Sequence, residues 1–218
     1  MSDLTGGGIH WSVALLLAYL SGSIPTAYLA GRLLKGVDLR TVGSGNLGAT
    51  NVYRNLGAVP AIIVLLLDAA KGALPVLLLP AKIQGVWFFE TRELVLWGLA
   101  CGILAIAGHA RPIFLLWKGG GKGVATAAGV FGALAPAALG VALLVFITVA
   151  AGSGTVSLAS IAAALTLPVA VALTLGIRTA IFHVALLVAV FVVWSHRANI
   201  ARLRAGTEPR TFGKKGNA

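Results

Sequence analysis

Residues 123–152 read GVATAAGVFGALAPAALGVALLVFITVAAG, thirty positions without a charge. As one helix this stretch would run about 45 Å at 1.5 Å per residue. A bilayer core is spanned by ~20 residues, so the stretch is too long for one crossing and short for two. Pro136 stands near its middle, where a helix interior does not tolerate it. Whether the chain crosses here once, or crosses twice or enters and returns as a pair of short helices, decides the face on which everything downstream lies.

The rest of the chain says which solvent to assume. Of 218 residues 58% are hydrophobic and only 11% charged, against roughly 25% charged in a soluble domain. Mean hydropathy is +0.95, and the protein reads as integral to a membrane. Further apolar runs fall at 11–34, 60–79, 94–109, 157–175 and 179–195. The first resembles a span more than a cleavable signal peptide, because Arg32 and Lys35 follow it instead of preceding it. That order places the N-terminus outside the cytoplasm.

Charge then decides the thirty-residue stretch. With one crossing, Arg197, Arg202, Arg204, Arg210, Lys214 and Lys215 would face away from Arg32, Lys35, Arg40 and Arg54. With two, both clusters fall on the cytoplasmic side together with Arg111, Lys118 and Lys122, as the positive-inside rule prefers. The outer side keeps Lys82, Arg92 and Arg178, beside Glu90 and Glu93. The expectation is an all-α polytopic membrane protein with seven transmembrane helices, an extracytoplasmic N-terminus and a cytoplasmic C-terminus. It forms a single domain, 1–218, whose residues 206–218 read as a basic, flexible tail. The net charge of +11 belongs to this topology and does not call for nucleic acid. Cys101 has no intrachain disulfide partner.

The same parity brings four polar stretches to one face. Residues 42–51, VGSGNLGATN, offer Gly43, Gly45 and Gly48 for close backbone approach and Ser44, Asn46, Thr50 and Asn51 as hydrogen-bonding groups. A flexible interhelical loop is the plain alternative. Gly108-His109 leads to Trp117-Lys118-Gly119-Gly120-Gly121-Lys122-Gly123, a glycine-rich turn opening an apolar helix and thus a seat for phosphate. It is not a Walker A loop, since Gly123 follows Lys122 and Leu116 stands where a glycine is required. Lys118 reads as an interfacial anchor and Lys122 as functional. Ser157 and Ser160 share a helix face, as do His196 and Asn199. Asp68 and Lys71, inside an apolar run, read as an internal ion pair. With only six acidic residues and no carboxylate cluster, a metal site is not expected.

These four motifs, in this order, resemble those of the bacterial acyl-phosphate:glycerol-3-phosphate acyltransferases, the PlsY family, over nearly the whole chain. The resemblance implies an inner-membrane enzyme without metal or cofactor, its active site facing the cytoplasm. It moves a fatty acyl group from acyl phosphate to the sn-1 hydroxyl of glycerol 3-phosphate, giving lysophosphatidic acid and phosphate. The residues carried over as catalytic are Ser44, Arg54, Lys122, His196 and Asn199. Those carried over as substrate-binding are Gly43, Gly45, Asn46, Gly48, Thr50, Asn51, His109, Ser157 and Ser160. Two departures stand out: the family's glycine pair is here the triple Gly119-Gly120-Gly121, and Gly154-Thr155 replaces a frequent Arg-Tyr. Neither the H-x-x-x-x-D signature of soluble-type glycerolipid acyltransferases nor a G-x-S-x-G elbow is present.

The chemistry implied is direct attack on an already activated mixed anhydride. Cations such as Arg54 and Lys122 offset two phosphates of about −1.5 to −2 charge each. The base is left open between His196 and a substrate phosphate. The acyl chain is expected in an apolar groove entered from the bilayer, with partners limited to the two substrates and membrane lipid, and with a monomer as the working unit. The alternative is a transporter or channel for small phosphorylated anions, against which stand the lack of a duplicated half and the gathering of polar residues on one face.

Overall fold

Apolar segments in hydrocarbon must satisfy their own backbone, and every regular element among the described residues, 10–84 and 91–211 of a computed structural model, is helical. In chain order the α-helices are α1 (Trp11–Ser23), α2 (Thr26–Lys35), α3 (Ala49–Leu56), α4 (Ala58–Gln84), α5 (Arg92–Ala110), α6 (Val124–Leu134), α7 (Pro136–Ser153), α8 (Val156–Thr174), α9 (Ala180–Ser195) and α10 (Arg197–Arg204). The thirty-residue stretch is two helices. It breaks at Ala135, and Pro136 opens α7 at a position where its missing N–H is not needed.

Five segments are long and apolar enough to cross a membrane: Trp11–Lys35, Ala58–Lys82, Arg92–Leu115, Pro136–Ser153 and Val156–Thr174. A sixth is α9 with α10, bent by 58°. The seven crossings expected from charge exceed these five or six, and the difference is α6. Its 11 residues reach about 16 Å, roughly half a bilayer core.

α6 is central, with Phe131 and Val130 fully buried in the main apolar cluster. It lies close against α4 because both carry glycines at the contact. A Cβ on Gly129 would collide with the Ala69 carbonyl, and one on Gly72 with that of Thr126, the small-residue packing membrane helices use. The expected Asp68–Lys71 pair is present at 2.8 Å. It also holds the break between α1 and α2: Thr26 donates to Asp68 Oδ1 at 2.5 Å, and Lys71 Nζ donates to the Ile24 carbonyl at 2.9 Å.

A smaller apolar cluster, with Leu39, Leu47 and Val52 at its centre, clamps the loop before α3 onto α2 and α4. The glycine-rich stretch 42–51 is therefore pinned by Leu39 before it, Leu47 within it and Val52 after it. The expectations for Glu90, Lys214 and Lys215, for the chain's first residues and for the end of the tail lie outside the described residues.

Candidate active site

The first loop is shaped by one buried amide. Asn51, 2% exposed, donates to the carbonyls of Leu39 (3.0 Å) and Val42 (3.2 Å) and accepts from the Ser44 N–H (3.0 Å) and Asn55 Nδ2 (3.1 Å). Its hydrogen-bonding capacity is filled by the loop itself. Gly43, at φ +61°, turns directly above that amide, where a Cβ would meet Asn51 Oδ1. Ser44, Asn46, Gly48, Thr50 and Asn51 itself line a cavity, while Gly43 and Gly45 stand behind it as backbone turns.

The second loop is locked to the first. The Gly120 carbonyl accepts from the Leu47 N–H and from Asn46 Nδ2, both at 3.2 Å, and the Gly121 N–H donates to the His109 carbonyl at 3.1 Å. Gly119 has φ +92°, a Cβ on Gly120 would strike the Ala110 carbonyl, and one on Gly121 would enter the His109 ring. All three glycines of the triple are thus required where they stand, and Lys122 emerges from them into the cavity.

Three helix N-termini open on this cavity: α3 at Gly48 and Ala49, α6 at Gly123 and Val124, and α8 at Val156 and Ser157. Each presents unsatisfied N–H groups and a positive dipole end. Their convergence, with Arg54 and Lys122 at the same walls, makes an anion-binding chamber. The cavity measures about 130 Å³. Ser160, His196, Asn199 and His109 complete the wall, so all five residues expected to be catalytic meet here.

Two charged wall residues were not anticipated as part of the site. Glu208 lies in the stretch expected to be a flexible tail, yet residues 206–211 fold across the cavity. Glu208 Oε1 accepts from Ser157 (2.8 Å) and Asn199 Nδ2 (2.6 Å), and Oε2 from Arg202 Nε (2.7 Å). Arg54 donates to the Pro209 carbonyl (3.0 Å) and to Thr211 Oγ1 (3.1 Å), and the Thr211 N–H donates to the Gly154 carbonyl (2.7 Å). The one sequence signal was an isolated acid in a run of arginines. Asp68 is the other, lining the cavity from what read as an internal ion pair.

A charge relay follows. Lys122 Nζ donates to Asn199 Oδ1, whose amide donates on to Glu208. Lys122 lies in the loop outside the crossing segments, and burial lowers its pKa to about 8, with Glu208 opposing and Arg202 and Arg54 adding to the fall. His196 stands at the joint between α9 and α10. Its Nδ1 faces the Val192 carbonyl at 2.8 Å, which can only accept, so the proton sits on Nδ1 and Nε2 carries the free lone pair. Burial works to raise Glu208, but the hydrogen bonds from Asn199, Ser157 and Arg202 hold it below the usual carboxylate range.

Beyond Val124, Phe146 and Ser160 the cavity continues into an apolar groove between α6, α7, α8 and α9, running toward Leu139 and Leu167. Along α7 and α8 alike it spans seven residues, Phe146 to Leu139 and Ser160 to Leu167, or about 10 Å.

A family profile described as glycerol-3-phosphate acyltransferase matches residues 12–206. A glycerol-3-phosphate acyltransferase of Synechococcus sp. (strain CC9902) is 50% identical over 205 residues, covering 94% of this chain and 96% of that protein. One of Desulforamulus reducens is 43% identical, covering 95% and 99%. Among solved structures, the glycerol 3-phosphate form of PlsY, an integral membrane glycerol 3-phosphate acyltransferase, superposes with a TM-score of 0.80 at 36% identity over 93% of this chain and 96% of that one. Its lysophosphatidic acid form gives 0.77 at 35%.

Proposed function

Because the chain belongs to the glycerol-3-phosphate acyltransferase family, we propose that it transfers a fatty acyl group from acyl phosphate to the sn-1 hydroxyl of glycerol 3-phosphate, releasing phosphate. The observation that carries this reading is the junction of two unlike spaces. A chamber with three helix N-termini and two cations suits phosphates, and it opens directly into a groove of hydrocarbon side chains that suits an acyl tail.

In this reading Arg54, Lys122 and the N–H groups of α3, α6 and α8 hold the two phosphates. Ser44, Thr50, Asn199 and Ser160 add hydrogen bonds. The tail lies between Phe146 and Ser160 and runs toward Leu167; a groove of about 10 Å takes only part of a palmitoyl-length chain, so the rest emerges among the helices into lipid. Asn46, Gly48, Asn51 and His109 fix the loops. The glycerol oxygen attacks the acyl carbonyl carbon, the bond from that carbon to the phosphate oxygen breaks, and inorganic phosphate departs.

In this reading the free lone pair on His196 Nε2 accepts the hydrogen bond of the hydroxyl and aims it, while a substrate phosphate oxygen takes the proton. The site faces the cytoplasm of a bacterial inner membrane, α9 with α10 makes the sixth crossing and the short α6 a seventh passage at a thin place in the bundle, and the monomer is the working unit.

The test is release of phosphate by the purified protein given acyl phosphate and glycerol 3-phosphate. Turnover with acyl-CoA alone would correct the donor. Turnover with neither, together with uptake of glycerol 3-phosphate into liposomes, would replace catalysis by transport.

A further inference from the structure

A second groove lies behind the glycine loop, on the side of α1, α5 and α9, away from the acyl groove. Arg111, Arg197 and Lys122 line it together with Tyr19, Trp117 and Trp194. Among the described residues neither Arg111 nor Arg197 forms an ion pair, so the two arginines leave the groove cationic. Its rim is built, not frayed. Trp117 Nε1 donates to Tyr19 Oη at 2.8 Å, and that hydroxyl donates to the Arg111 carbonyl at 2.8 Å. Leu116 and Trp117 are both held at positive φ, 51° and 58°, a cost that surrounding contacts must offset. Opposite, the Arg197 guanidinium stacks 4.4 Å from the centroid of Trp194.

Two features say what fits. Tryptophans beside arginines are the furniture of the membrane interface, and an arginine pair without a carboxylate suits a phosphate. The groove also has an apolar continuation. Ala107 and Phe191 line it, and one helical turn further on the same faces Ile103 and Leu187 are exposed. We propose that this groove seats an acidic phospholipid of the surrounding bilayer, its phosphate between Arg111, Arg197 and Lys122 and its chains along the seam between α5 and α9. Because Lys122 lines both this groove and the reaction chamber, the lipid phosphate touches the loop that carries the lysine. This site stands whether or not the acyl donor is acyl phosphate.

The experiment uses the full chain, purified in detergent and stripped of lipid, with bound lipid counted by native mass spectrometry. Phosphatidylglycerol is expected to bind saturably, one per chain and roughly tenfold or more tighter than phosphatidylcholine. The Arg111→Gln/Arg197→Gln variant should lose that preference with its melting curve unchanged. Glycerophosphoglycerol, the same headgroup without chains, should bind at least about tenfold more weakly, and millimolar inorganic phosphate should not displace the lipid. Equal binding of the two phospholipids, an unchanged preference in the double variant, or displacement by inorganic phosphate would each overturn the proposal, the last by making this a free-anion site.

Discussion

The glycine triple permits a sharp test through Gly121→Ala. The added Cβ would lie 2.5 Å from His109 Cε1 and 2.9 Å from Cδ2, and nearer still to Nε2. Ordinary contact begins at 3.4 Å and Nε2 is the nearest atom, so the loop and the ring must separate by about 1.5 Å. The ring has little freedom to yield: its side chain is 5% exposed and sits 3.7 Å from Asp68. The loop therefore moves, stretching the bond from the Gly121 N–H to the His109 carbonyl and carrying Lys122 with it. Overpacking of this kind costs about 1–3 kcal/mol of stability, and a 1 Å misplacement of a positioning group costs roughly 100-fold in rate. The readouts are kcat/KM for glycerol 3-phosphate by phosphate release and the thermal melt in lipid nanodiscs. Gly152→Ala is the control. It sits in α7 with nothing within 4 Å of the new Cβ, so activity should hold and stability rise by up to about 1 kcal/mol. A Gly121→Ala protein with activity within a few-fold of the parent and an unchanged melt would refute the claim that this glycine sets the position of Lys122.

Other consequences are open to measurement. Lys122 is charged below about pH 8 and loses its proton as pH rises through that value, so kcat/KM should fall on the alkaline side, and Lys122→Arg should remove that limb while leaving some activity. Glu208 raises Lys122, so Glu208→Gln should shift the limb to lower pH. Replacing a carboxylate with three hydrogen-bond donors should also destabilise the protein by about 1.5–3 kcal/mol, read as a lower melting temperature. Arg54→Ala should abolish phosphate release while the protein still inserts and melts cooperatively; near-normal turnover would remove the principal cation from the account. Ala164→Trp, in the apolar groove, should depress kcat/KM for long acyl donors while sparing short ones, and equal losses for both would place the acyl chain elsewhere.

The legible part of this chain was what local rules dictate. Apolar runs became helices, Pro136 split the long one, and Asp68 and Lys71 paired because no isolated charge survives in hydrocarbon. The four polar stretches, expected on one face from the positive-inside rule, line one cavity. What stayed hidden depends on contacts between distant residues. Asn51 was expected as a ligand-binding amide and does line the cavity, but its second task, tying Leu39, Val42 and Ser44 into one loop, could not be read from the sequence. Glu208 sat in a stretch whose composition reads as tail, and only the fold brings Ser157 and Asn199 to it. The groove residues Val124, Phe146 and Leu167 have the same chemistry as any lipid-facing side chain, so sequence could not single them out. The shortness of α6 was invisible because its end at Ala135 merges with α7 in one apolar run.

The hydrogen bond from Lys71 to the Ile24 carbonyl bears on the order in which the protein is assembled. The break at Pro25 leaves that carbonyl inside the first crossing segment, and the lysine that answers it is 47 positions later in the chain. Ribosomes emit Ile24 first, so the opening segment meets the bilayer before its lysine exists. Its kinked shape is completed only when α4 has entered and brought Asp68 and Lys71 alongside. The first two crossing segments thus reach their final shape together, and a chain halted before residue 71 lacks the lysine that answers the Ile24 carbonyl.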